Sequence, residues 1–200
     1  MADVLLLGDP RLRVRSAEVE RYDAGAFDAL AATLDAFRRQ HGFGRAISAP
    51  QIGIAKRFIA VNLGSGTFFI VNPVVTARTE ETFTMWDDCM SFPDLLVRVR
   101  RHASLSLEYV DEQGKPHEWR DLDQAAAELL QHELDHLDGV LAVDRALDRE
   151  SLVMRRAYDA NREYYDAMVE YTIVPTIPTS SAPPHSPRTT PPAPSRLRGA

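Results

Sequence analysis

A chain of 200 residues, 44% hydrophobic and 26% charged, is long enough for one domain with a real core and is ordinary for a soluble globular protein. Its formal net charge of -6 argues against a nucleic-acid binder, DNA included, because such a protein needs a basic surface. No apolar run approaches the length of a membrane span, so no membrane partner is expected.

The N-terminus reads Met1-Ala2-Asp3-Val4-Leu5-Leu6-Leu7. It lacks a basic segment and its apolar run is too short for a signal peptide, so a cytoplasmic location is expected. Residues 8–20 read as an extended lead-in with a turn at Asp9-Pro10. Asp23 then precedes a helical stripe of Phe27, Leu30, Leu34 and Phe37, read as core packing, which stops at His41-Gly42. The loop Gly42-Phe43-Gly44-Arg45-Ala46-Ile47-Ser48-Ala49-Pro50-Gln51 is small-residue rich, which lets another backbone come close. Gln51 is its polar exception. It is either a surface amide or a neutral donor suited to a developing oxyanion.

Strands are predicted at 57–63 and 68–75 around the turn Gly64-Ser65-Gly66, and at 104–110 before a turn at Glu112-Gln113-Gly114. Between them lies Met85-Trp86-Asp87-Asp88-Cys89-Met90-Ser91-Phe92-Pro93. Cys89 is the chain's one cysteine, which excludes an intrachain disulfide and leaves a ligand, a nucleophile or a buried hydrophobe. A helix is predicted from near Asp121, capped by Asp121 or Asp123 and stopped at Gly139. A second helical stretch is predicted from about 148 to 171. From 172 to 200 the chain is Pro-rich, with eight of its 13 prolines and few apolar residues, and reads as a disordered tail.

The helix near Asp121 carries Gln131-His132-Glu133-Leu134-Asp135-His136. Residues four apart share a helix face, so His132 and His136 can aim two imidazoles at one metal ion, with Glu133 beside any water held there. The bland alternative is two surface histidines. Ala125 and Leu129 continue the same face, so a metal would sit against an apolar wall. Cys89 with the two histidines makes a three-ligand set with an open fourth position, the pattern of a catalytic site.

Three motifs in order give the chain a resemblance to the peptide deformylase family. Gly44-Arg45-Ala46-Ile47-Ser48-Ala49-Pro50-Gln51 is similar to the family's glycine-rich first motif, Asp87-Asp88-Cys89-Met90-Ser91 to its second, and His132-Glu133-Leu134-Asp135-His136 to its third. The resemblance spans about Gly8 to Asp144. It implies an α+β fold in which antiparallel β-sheets surround a central helix bearing the histidines. Residues 1–171 would form a single catalytic domain with a C-terminal helix, followed by the tail. The implied activity is removal of the formyl group from the N-terminal formyl-methionine of nascent polypeptides. The implied ligands of one divalent ion, typically Fe2+ and often Zn2+ or Ni2+, are Cys89, His132 and His136. Glu133 would move the proton, and Gln51 with the backbone N–H of Met90 would hold the oxyanion. Gly44, Arg45, Ala46 and Asp88 would flank the substrate.

The departures fall in that flank. Ala46 and Asp88 stand where the family has glycine, Ser48 where it has alanine, and Asp87 where it has glutamate. Arg45 and Asp88 either face the cleft, point to solvent or pair with each other. These changes keep open an amidohydrolase acting on another N-formylated peptide or small molecule, and a weak or inactive homologue. A zinc endopeptidase has no need of Cys89 or Gln51. The tail's Arg188, Arg196 and Arg198 leave open a contact with the ribosome.

Overall fold

A computed structural model describes residues 2–173. The expected tail lies outside the described residues from 174 onward. Its first two residues, Thr172 and Ile173, are described, and Ile173 packs against the cluster around Phe83, Met85 and Cys89.

Two antiparallel sheets frame the molecule. The larger takes β1 (Ala46–Ser48), β2 (Phe58–Asn62), β3 (Thr67–Arg78), β6 (Leu105–Val110) and β7 (Pro116–Trp119), in that spatial order. The smaller takes β4 (Thr82–Asp88), β5 (Leu95–His102) and β8 (Leu152–Met154).

Strand alternation sorts the core of the larger sheet into two layers. Ile47, Phe58, Ala60 and Val71 point to one face and pack on α1 (Ala24–His41) through Phe27, Leu30, Leu34 and Phe37. Ala46, Ile59, Val61 and Ile70 point to the other and pack on α2 (Gln124–Leu137) through Ala127, Leu129, Leu130 and Leu137. Each fully buried leucine contributes about 1.5–3 kcal/mol by leaving water. Away from this sheet, α2 bonds to β5: Gln131 accepts from His102 N at 2.9 Å, and Asp135 accepts from Arg101 at 2.5 Å.

The helix ends follow capping chemistry. Asp23 accepts from Gly25 N at the start of α1, and Asp123 from Ala126 N at the start of α2. The cap of α2 is therefore Asp123. Asp121 sits outside the helix at φ 48°.

One expectation fails. The single helix expected from about 148 to 171 is instead β8 followed by two short helices, α3 (Arg155–Ala160) and α4 (Arg162–Asp166). Val153 alternates with exposed Leu152 and Met154, and β8 uses that alternation to pair with β5. The two helices break at Asn161, and Tyr158 and Tyr165 then fold onto Trp86, whose indole N–H donates to Tyr165 O at 2.8 Å. The segment 85–93, for which the sequence predicts no element, is half strand: β4 runs to Asp88, and only then does the chain turn.

Gly42 and Gly139 close α1 and α2 with the same φ of 73° but in different surroundings. A Cβ at Gly42 meets nothing within 4 Å, whereas one at Gly139 meets Arg13 O at 2.6 Å, on the backbone of the lead-in. Both alanine substitutions incur the left-handed strain. Gly139→Ala adds a backbone clash, and we predict that it destabilises by about 1–3 kcal/mol more than Gly42→Ala. Urea unfolding of the two variants checks this; equal losses would show that the Arg13 contact yields freely.

Candidate metal centre and cleft

Three elements bring the donors together. β4 ends one residue before Cys89, α2 carries His132 and His136 on adjoining turns, and a short 3-10 turn, Ala49–Ile52, carries Gln51. All four side chains are buried. His136 Nε2 lies 3.2 Å from both Cys89 Sγ and His132 Nε2, and the three donor atoms fall within 4.8 Å of one another.

The surrounding bonds aim them. Asp87, buried at the end of β4, lies 3.0 Å from His132 Nδ1, which leaves Nε2 facing the cluster. Arg101 of β5 donates to Asp87 at 2.7 Å and to Asp135 of α2 at 2.5 Å, and Arg145 adds a two-pronged bond to Asp135 at 2.6 and 2.7 Å. Burial alone would raise the Asp87 carboxyl, but His132 and Arg101 hold it well below the usual carboxylate range. Burial would likewise lower His132, and Asp87 with Cys89 more than reverses this. His136 shifts the other way, pushed down by burial and by His132.

Ser48 N donates to Gln51 Oε1 at 2.9 Å, which turns the amide NH2 inward, 3.6 Å from Cys89 Sγ and 3.3 Å from Ser91 Oγ. The Ser48 hydroxyl donates to the Glu133 carboxylate and lies 3.0 Å from Glu133 O. Burial raises the Glu133 carboxyl above the usual range, against the pull of His132 and of that hydroxyl.

A cavity of about 280 Å³ opens onto this cluster. Gly44, Arg45, Ala46, Asp88 and Met90 all line it, alongside Gln51, Cys89, His132 and Glu133. Arg45 and Asp88 both border the cleft, but they do not pair with each other. Arg45 pairs with Glu128 of α2 and donates to Ala125 O at 3.1 Å; Asp88 pairs with Arg155 at 3.0 Å. Of the expected apolar wall, Leu129 lines the cavity and Ala125 does not. Sequence reasoning missed Glu128, although it precedes His132 by four residues and so shares its face. It also missed Asp87, Ser48 and Arg101 as supports; no motif spacing points to Arg101. Burial pushes the Glu128 carboxyl up to about 7, against the pull of Arg45.

Comparison with known proteins supplies the context for this geometry. The polypeptide deformylase family profile matches residues 1–151. A peptide deformylase from Thermotoga maritima is 31% identical over 156 residues, covering 78% of this chain and 93% of the relative. One from Pelotomaculum thermopropionicum is 33% identical over 150 residues, covering 75% and 94%. Among solved structures, the Thermotoga maritima peptide deformylase superposes with a TM-score of 0.67 at 32% identity, covering 74% of this chain and 99% of that one. A Synechococcus elongatus peptide deformylase bound to actinonin gives 0.68 at 29% identity, covering 80% and 86%.

The donor arrangement predicts separable roles. Cys89→Ala should lose cobalt(II) binding, and with it the thiolate-to-metal absorption band. Glu133→Ala should keep both. Asp87→Asn should weaken the affinity about 10–100-fold by releasing His132. Spectrophotometric titration of the three variants decides; metal loss in Glu133→Ala with retention in Cys89→Ala would reverse the assignment.

Proposed function

The chain belongs to the polypeptide deformylase family, and on that footing we propose that it hydrolyses the formamide at the N-terminal formyl-methionine of new polypeptides, releasing formate and a free amine. The observation that carries this is the convergence of Cys89, His132 and His136 in one donor cluster, with Cys89 and His132 lining a cavity beside Glu133 and Gln51.

The residues fit a resident divalent cation. One thiol and two imidazoles make a nitrogen–sulfur donor set suited to Fe2+, Zn2+ or Ni2+, and we propose Fe2+. Two imidazole Nε2 atoms 3.2 Å apart beside a thiol also form a crowded donor cluster that a shared cation would satisfy. When bound, the cation supplies Lewis acidity that polarises the formyl carbonyl and makes water acidic enough to react at neutral pH.

The chain's own groups do the rest. Glu133 takes the proton from the attacking water and delivers it to the departing amine nitrogen. Its burial favours holding that proton between the two events, and Ser48 fixes the direction in which the carboxylate faces. Gln51 Nε2 and the Met90 N–H donate to the oxygen as charge develops on it. The backbone around Gly44, Arg45 and Ala46 on one side and Asp88 on the other holds the peptide extended, as in strand addition.

Residues 1–171 act as one catalytic unit in this reading, working in the cytoplasm on chains emerging from the ribosome. No helix among the described residues is long and apolar enough to cross a membrane.

The test is formate release from formyl-Met-Ala-Ser by metal-loaded protein. Glu133→Ala should lower turnover by about 10²–10⁴-fold with metal content unchanged. Fully loaded protein that releases no formate would sink the proposal.

A further inference from the structure

The cavity wall beside the donor cluster contains a charged pair. Arg45 and Glu128 retain 10% and 2% of their side-chain exposure, and both line the cavity. Glu128 lies one turn of α2 before His132 on the same face, about 5–6 Å along the axis. Arg45 is tied in place by Ala125 O as well as by Glu128. A buried ion pair is a weak source of stability, because two apolar side chains of similar volume do as well or better. Stability therefore gives no reason for charges at this place.

We propose that Arg45 and Glu128 widen the side-chain tolerance of the site, so that beside formyl-methionine it accepts a formylated N-terminal residue with a polar, hydrogen-bonding side chain better than an apolar wall would. This rests on the deformylase reading for its chemistry and goes beyond it in substrate class. A formamide held against His132, Glu133 and Gln51 begins its first side chain three bonds from the formyl carbon. Glu128 and His132 stand one turn apart on α2 and both line the cavity, so that side chain is within reach of Glu128. A thioether there covers the pair's polar atoms and returns almost no hydrogen bonding, since its sulfur is a weak acceptor and no donor. A primary amide can accept from the guanidinium and donate to the carboxyl. Covering buried polar groups without replacing their bonds is what penalises the wrong ligand in polar sites. Glutamine and methionine are both unbranched and similar in length, so the comparison reads polarity rather than size.

The neighbouring charges do not supply the same selection. Asp88 is held by Arg155, Arg162 pairs with Asp159, Asp166 accepts from the Tyr158 hydroxyl, and Asp87 faces His132 and Arg101. That leaves the Arg45–Glu128 pair as the polar surface one turn along α2 from His132.

The experiment has two arms. In the first, formate release from formyl-Gln-Ala-Ser and formyl-Met-Ala-Ser is measured for the nickel-loaded natural protein and for Arg45→Leu with Glu128→Leu. The ratio of kcat/KM, glutamine over methionine, should fall roughly 10–100-fold in the double variant. In the second, the dissociation constants of the same peptides are measured by calorimetry in a nickel-loaded Glu133→Ala background, with and without the double change. The ratio of affinities should move in the same direction without any turnover. The second arm separates two failures: no formate from either peptide overturns the deformylase reading, while the binding ratio still decides the preference. Should the leucine pair fail to fold, Arg45→Met with Glu128→Gln keeps side-chain volume and is measured likewise, with the ratio again expected to fall. Identical ratios with and without the charged pair, in the binding arm, overturn the proposal.

Discussion

Arg101 is the constraint on which the site depends. Its guanidinium is buried, and it joins Asp87 at the end of β4 to Asp135 in the last turn of α2. Asp87 in turn faces His132. One cation thus ties together the strand that leads to Cys89, the helix that carries both histidines, and its own strand. Burial opposes the charge, and the two carboxylates together offset that cost. The stakes are asymmetric. Taking away one member leaves an uncompensated buried charge, which costs about 3–5 kcal/mol, whereas the intact network adds little to net stability. What it contributes is position: the donors sit on a strand end and a helix cross-braced by charged bonds, not on a free loop.

The rest of the fold serves the same placement from outside. The larger sheet buries α1 on one face and α2 on the other, so α2 cannot rotate without dislodging Ile59, Val61 and Ile70 from its apolar side. The lead-in crosses behind the site, donating from Leu5 N to Gln51 O at 2.7 Å and from Leu7 N to Ser91 O at 2.8 Å. Ser16 N then reaches Leu137 O at the end of α2 at 2.8 Å. A segment with little regular structure therefore staples the glutamine turn, the cysteine turn and the motif helix.

The legible parts of the sequence were those where one physical signal acted alone. The α1 stripe, the hairpin around Gly64-Ser65-Gly66, and the helical spacing of His132 and His136 each follow from periodicity or turn chemistry. β4 and β5 were illegible because the site invades their pattern. Phe83, Met85 and Asp87 alternate inward on β4, and Val97, Val99 and Arg101 do so on β5, so each strand places a charge where an apolar residue would mark the core. Those charges are satisfied across the two strands and α2, a long-range relation that a local pattern does not carry. The 148–171 stretch misled for the opposite reason. Its composition favours helix, but three residues of it gain more by completing a sheet edge, and Trp86 requires two tyrosines on separate short helices.

The first motif makes the last connection. β1 is three residues long, yet this short segment serves several tasks at once: Arg45 just before it holds Glu128, Ala46 packs on α2, and Ser48 bonds both Glu133 and Gln51. Two of the departures from the family pattern, Ala46 and Ser48, are thus structural choices with different reach. Ala46 adds a methyl to the core layer against α2. Ser48 adds a hydroxyl that couples β1 to the carboxylate proposed to move the proton. A peptide pairing beside Arg45 and Ala46 would press on the same three residues that orient Glu133 and Gln51. In such an arrangement substrate seating and the alignment of the proton carrier are one mechanical event, because β1 offers no flexible joint between them.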